Sequence, residues 1–320
     1  MRKESIPLKQ ISNNYGAIFA FIVAVIVFSI TARGFFSVRN LENILVQSTS
    51  LGICAFGLTF VLMAGEIDLS YGGLIGLVGA VLAGMLKDGH SIAVVSLVCF
   101  AIGLGAGLLN AILIVGLNLP SFLASVGVMF LCMGAERVYN QGITTWIKEP
   151  QILSFVQSHI GPLPAPVLYL FVLFVICWYL QTQTRTGQYI RALGENINAA
   201  KEVGTQTRVV KSLVFVVAGV LFAFAGYMEA LRIGAAVMYA GKQLLLFVLA
   251  ACFLGSVTFK AGKANFPGTL IGAFFLYTLL SGFTGLGMKF YLVPVAQGLT
   301  LIIAVAISSV RRGEIEQVQF

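Results

Sequence analysis

The chain has 320 residues, 58% of them apolar and only 10% charged, with a mean hydropathy of +0.95, where an ordinary soluble domain carries about 25% charged residues. No single aqueous core hides that much apolar surface, so a soluble enzyme or binding domain is excluded. The formal charge of +8 is spread over short segments between apolar runs, which is the positive-inside arrangement of a membrane protein and not a basic patch for nucleic acid.

The N-terminus places Arg2, Lys3 and Lys9 before an apolar run from Ala17 to Ile30, which reads as an uncleaved first anchor because many further spans follow. Apolar runs long enough to cross about 30 Å of hydrocarbon as helices recur to the other end. Cutting at charged residues and at Gly or Pro clusters predicts about ten: 15–32, 41–63, 69–86, 91–117, 121–139, 166–180, 211–231, 243–258, 266–282 and 291–310. The sixth and eighth are short. The expected fold is therefore an all-α, polytopic membrane protein, one transmembrane domain over 1–320. With the N-terminus inside, eight of the 20 Lys and Arg fall outside (Arg33, Arg39, Lys87, Arg137, Lys148, Arg232, Lys242 and Lys289) and twelve inside. That bias predicts cytoplasmic N and C termini.

Polar residues within spans seek the bundle interior or a wet cavity. Gln47 and Ser48, followed by Thr49 and Ser50, cluster in the second span; Asn110 lies in the fourth, Phe274 in the ninth and Gln297 in the tenth. They are candidates for a translocation pathway, with helix-to-helix hydrogen bonds or plain packing as the alternative.

Between the second and third spans stands the polar break Glu66-Ile67-Asp68-Leu69-Ser70. Asp68 or Ser70 suits a helix cap, and a carboxylate there suits the positive end of the helix dipole. Alternatively, Glu66 and Asp68 face a cavity or a cytoplasmic partner.

The outer loop at about 140–165 carries Trp146, Pro150, His159, Pro162 and Pro164 and suits a short re-entrant or surface helix. The inner loop at about 181–210 is charged and glycine-punctuated. In it, 196–203 reads as a short helix capped by Asn196 and stopped by Gly204. Glu136 beside Arg137, and Glu229 three before Arg232, read as ion pairs at span ends. Glycines four apart (72 and 76, 103 and 107, 268 and 272) suit close helix packing. The five cysteines stand singly in apolar stretches and read as small buried hydrophobes.

No phosphate-binding loop follows either Gly-Lys pair, at 241–242 and 262–263. No His-Glu-x-x-His, nucleophile elbow or Cys and His set is present either, so no catalytic or metal-binding residue is expected.

Three elements in order, Asp-Leu-Ser-x-Gly at 68–72, Gly-x-Asn-x-x-Ala-Ala-x-x-x-Gly at 194–204 and Gly-Thr-Leu-Ile-Gly-Ala at 268–273, resemble the ribose-type permeases of bacterial ABC importers. The sequence departs from that pattern at Tyr71, where a small residue is usual, and over Leu254–Lys263, where a glycine-rich run is usual.

The resemblance implies a multi-pass protein of the bacterial cytoplasmic (inner) membrane that transports a sugar or related small polar solute. It implies pairing with a second copy or a paralogous permease, a cytoplasmic ABC ATPase, and a periplasmic or lipid-anchored substrate-binding protein. Gly194, Glu195, Asn196, Ala199, Ala200 and Gly204 would then form the element that couples to the ATPase. It further implies no cofactor on this chain, ATP and Mg being used by the ATPase subunit. A pentose, a hexose, a furanone signal, an inositol or a nucleoside each fits. The alternative is a secondary transporter driven by an ion gradient, with Glu66 and Asp68 binding the coupling ion.

Overall fold

A computed structural model describes residues 16–302 apart from 203, 259–262, 290 and 301. Arg2, Lys3 and Lys9, and residues 301 and 303–310 of the expected span 291–310, lie outside the described residues.

Helices dominate: α1 Gly16–Thr31, α2 Val38–Met63, α3 Tyr71–Lys87, α4 Ile92–Ala111 running into a π-helical turn Ile112–Gly116, and α5 Ser121–Asn140. After strand β1 Thr145–Trp146 come α6 Pro150–Gln157, strands β2 His159–Ile160 and β3 Leu163–Pro164, α7 Ala165–Gln183, α8 Arg185–Glu195 and α9 Ile197–Glu202. Helix α10 Thr207–Ile233, strand β4 Ala235–Ala236, α11 Ala240–Val257 and α12 Phe266–Gly285 complete the named elements. Residues 293–300 are helical again.

The first nine expected spans each coincide with one of these helices. By length and composition, six described helices suffice to cross a bilayer: α2, α4 with its π turn, α5, α7, α10 and α12. Shorter apolar helices occupy 18–31, 71–87 and 240–256. Leu97, Leu104 and Leu108 stand exposed along α4 and Ile112 at the start of its π turn, as do Leu131 and Val138 on α5. Those faces belong in lipid, where the helical backbone satisfies its own polar groups. This is a multi-pass membrane protein.

The chain divides into two compact units, one of residues 46–249 and one of 1–45 with 250–320. In the first, glycines set the helix crossings. A Cβ on Gly103 of α4 would stand 2.7 Å from the carbonyl of Gly219 on α10, and one on Gly107 would stand 2.6 Å from that of Phe215. Gly226 lets α10 approach α3 at Ile75, and Gly73 lets α3 approach the Met129 carbonyl of α5. Helices gain nothing from the hydrophobic effect within lipid, so such close backbone packing holds them. Gly89 (φ +82°) and Gly234 (φ +74°) end α3 and α10 in the left-handed conformation that such termini take.

Strand β1 pairs antiparallel with β4, Thr145 opposite Ala236 and Trp146 opposite Ala235. The expected outer-loop helix is α6. All five cysteines are buried thiols.

In the second unit, Phe28, Ala32, Phe35, Ile44, Leu254, Phe275 and Leu279 form the core. Asn265 begins α12: its Oδ1 accepts from Gly268 N at 2.8 Å, and its Nδ2 donates to the Gly255 carbonyl at 3.1 Å. Gly268 packs on the Gly255 backbone and Gly272 on that of Ala251, so the 268–272 pair mediates close helix approach as its spacing suggests.

Candidate coupling surface and its buried tie

Helix α8 starts from a tight turn out of α7. Thr184 Oγ1 accepts from Gly187 N at 3.2 Å, and a Cβ on Gly187 would strike the Leu180 carbonyl. Ile190 and Leu193 are buried while Tyr189 and Glu195 are exposed. Arg191 Nη2 donates to the Gln181 carbonyl at 2.8 Å, fastening α8 to the end of α7.

The chain extends at Asn196 (φ −159°, ψ 106°), and its Oδ1 accepts from Asn198 N and Ala199 N at 3.0 and 3.1 Å. Asn196 is the cap of α9, as expected. Gly204 stands just past the end of α9 at φ +79°, and residue 203 lies outside the described residues. Ala200 is buried, whereas Glu195, Asn196, Ile197, Ala199, Lys201 and Glu202 are exposed. The result is a short charged helix with its outer face free to meet solvent or a partner.

Its base is not free. A Cβ on Gly194 would strike the Met63 carbonyl and stand 3.0 Å from Gly65 N. Gly65 is itself left-handed (φ +77°). The 194–204 element is therefore seated on the turn that leads into the 68–72 element.

That turn is tied on several sides. Glu66 pairs with Lys211 of α10. Ile67 N donates to Ser121 Oγ of α5 at 3.3 Å. Asp68 Oδ1 accepts from Ser70 N at 2.8 Å, and Asp68 Oδ2 accepts from Asn110 Nδ2 at 3.1 Å. The same Asn110 Nδ2 stands 3.2 Å from Ser70 Oγ. Asp68, Ser70 and Asn110 are all buried.

Asp68 lies in the link between α2 and α3, outside the membrane-crossing helices. Burial pushes its carboxyl up to about 6, against the opposing pull of its hydrogen bonds from Ser70 and Asn110. Ser70 is the one of the two cap candidates that the helix does not use. It precedes α3 but sits in the helical region with no capping bond from its side chain. Asp68 supplies the acceptor instead, through a local turn two residues long.

Of the pathway candidates, Ser48 is buried with Thr49 and Ser50, and Gln47 is half-buried. Asn110 joins the turn just described. Phe274 is half-buried, while its neighbour Phe275 packs edge-on against Phe21 at 5.9 Å. Gln297 Nε2 donates to the Leu276 carbonyl at 3.3 Å.

Residues 40–306 match the family model described as branched-chain amino acid transport system / permease component. The chain belongs to this permease family. It is 32% identical over 298 residues to the ribose import permease protein RbsC of Escherichia coli strain K12, covering 92% of each chain. RbsC of Bacillus subtilis strain 168 is 31% identical over 292 residues, 91% of each chain. The galactose/methyl galactoside import permease protein MglC of E. coli K12 is 30% identical over 315 residues, again 91% of each. No solved structure matches. The resemblance of the three short elements to ribose-type permeases thus extends over nearly the whole chain.

In this permease both carboxylates considered for ion binding are engaged, Glu66 by Lys211 and Asp68 by Ser70 and Asn110. Glu229 pairs with Arg232 at 2.6 Å, as expected. Glu136 does not pair with Arg137. Successive side chains diverge by about 100° around a helix, and Glu136 Oε1 accepts instead from Tyr239 N at 3.0 Å. Tyr71, which departs from the sugar-permease pattern, is fully buried and donates its hydroxyl to the Leu245 carbonyl at 2.8 Å. Sequence reasoning missed α8 altogether. Its signal was present in Thr184 as a cap and in apolar Ile190 and Leu193 one turn apart.

Proposed function

We propose that this permease is the transmembrane subunit of an ATP-driven importer for a sugar or related small polar solute. It works in the bacterial cytoplasmic membrane, with about ten spans and both termini inside. Two copies, or one copy and a paralogous permease, enclose the pathway, to which Gln47, Ser48, Asn110, Phe274 and Gln297 are assigned. A periplasmic or lipid-anchored binding protein delivers the solute from outside. A cytoplasmic ABC ATPase docks on Gly194, Glu195, Asn196, Ala199, Ala200 and Gly204, and uses ATP and Mg itself, this chain holding no cofactor.

The observation that carries this reading is the exposed face of α9 above a base that touches the Met63–Gly65 backbone at Gly194. A push on such a helix reaches the bundle through rigid backbone contact and not through a flexible loop. The relatives that import ribose and galactose support a sugar as the solute.

Substituting N196R or E195K tests it in proteoliposomes containing permease, ATPase and binding protein. E195K leaves the α9 cap in place, N196R removes it at a cost of about 1 kcal/mol that the folded chain survives, and in both the solute imported per ATP hydrolysed falls at least tenfold. Unchanged import in both variants removes this surface from the coupling role.

A further inference from the structure

Nothing in a docking surface on α8 and α9 requires a buried carboxylate behind it, yet Asp68 is wholly enclosed there. Its Oδ2 is held by Asn110, 42 residues away in sequence, near the C-terminal end of α4. Two residues beyond Asn110 the α-helix gives way to the π-helical turn Ile112–Gly116. Leu117 N then bonds back to the Ile112 carbonyl at 3.0 Å, and Asn118 takes φ +55°. π turns interrupt the regular hydrogen-bond ladder and commonly sit at functional positions in helices.

A second observation concerns the other end of the same amide. Asn110 Oδ1 is buried and accepts no hydrogen bond from any of the described residues. A buried acceptor without a donor costs free energy, and a second arrangement of the turn that brought it a donor would relieve that cost. One amide nitrogen thus holds the 64–70 turn through both Asp68 and Ser70, while the amide oxygen stands idle.

We propose that Asn110 is a positioning residue that carries movement of the α8–α9 surface, through the Gly65 turn and Asp68, into the π turn that ends α4. The proposal rests on the docking reading above. The chain of contacts is short: Gly194 on Gly65, three residues to Asp68, then Asp68 on Asn110. Glu66 with Lys211 and Ile67 with Ser121 attach the same turn to α10 and α5, so the turn moves as a body or not at all.

Hydrogen exchange on the whole transporter in nanodiscs, nucleotide-free and trapped with ATP and vanadate, tests this. In the wild type, peptides over 185–202 are protected by the ATPase, and exchange over 112–118 changes several-fold on trapping. In N110A, and in N110S should N110A fold poorly, protection over 185–202 stays and the response over 112–118 is lost. The double exchange D68N/N110D, which again sets an amide donor against a carboxylate, restores it. A purely structural Asn110 would alter thermal stability and leave the 112–118 response intact. A wild-type-like response in N110A or N110S, or none in the wild type, overturns the proposal while docking stands. Lack of protection over 185–202 in the wild type removes docking itself, and this inference with it.

Discussion

Gly194 and Gly65 meet backbone to backbone: a Cβ on Gly65 would stand 3.3 Å from the Cα of Gly194, and one on Gly194 would strike the Met63 carbonyl. Alanine at 194 must push α8 away from the end of α2. An overpacked contact of this kind costs about 1–3 kcal/mol. Thermal unfolding of purified G194A in detergent is expected to show that loss, with reduced import per ATP. Gly204 provides the contrast, since a Cβ there meets no described atom within 4 Å but its φ is +79°. G204A is expected to lose about 1 kcal/mol through backbone strain alone, with the seating of α8 unchanged.

The Asp68 carboxyl sets a pH dependence. Its value in the folded protein, about 6, lies above the ordinary 3.8, so the folded state holds the proton more tightly than the unfolded chain. The stability contributed is complete below the ordinary value and is lost as pH rises through the folded one. Wild-type unfolding temperature is therefore expected to fall between about pH 4 and pH 7 relative to D68N, which keeps an acceptor for Ser70 N and does not titrate. Parallel pH profiles for the two proteins would count against a raised Asp68.

The pairing of Glu66 with Lys211 is partly exposed, each side chain at 20%. Ion pairs in that setting contribute about 1 kcal/mol or less. Single substitutions E66Q and K211M are each expected to cost no more than that, and the reversed pair E66K/K211E to recover part of it. A double-mutant cycle on unfolding temperature in low and high salt measures the coupling, which should shrink as salt rises.

Helix crossing by glycine makes a sharper contrast between the two sides of α4. G219L places a branched side chain where the Gly103 carbonyl and Gly107 now touch, and is expected to abolish the folded monodisperse protein on size exclusion. G105L, two residues from Gly103 but exposed with nothing within 4 Å of its added Cβ, is expected to change stability by less than about 0.5 kcal/mol.

The helices were legible because lipid imposes a coarse rule, long apolar runs cut by charge, that a single sequence displays directly. Asn196 and Gly204 were legible for the opposite reason, since caps act within a few residues of themselves. What local pattern cannot carry is partnership at a distance. Asp68 shows its local acceptor role in the sequence but not Asn110, which reaches its other oxygen from 42 positions away, and Glu136 reads as the partner of its neighbour until Tyr239 arrives from 103. Helix α8 was hidden by Gly187 and Gly194, which break a helical pattern in sequence. In the structure they are the places where two backbones touch.

Glu136 carries the last prediction. Its Oε1 accepts from the Tyr239 amide at 3.0 Å, and Tyr239 stands at φ +57° just before α11. Its Oε2 has no hydrogen-bond partner among the described residues and lies against Gly76, where a Cβ would come within 2.6 Å. The residue therefore acts through one acceptor oxygen. E136Q retains that oxygen and is expected to stay within about 1 kcal/mol of wild type. E136L fills the space but leaves the Tyr239 amide without an acceptor, at a cost of about 1–3 kcal/mol. Exchange at the Tyr239 amide separates the two, slow in wild type and E136Q and fast in E136L. Fast exchange in the wild type would mean that the Glu136 contact does not hold the start of α11.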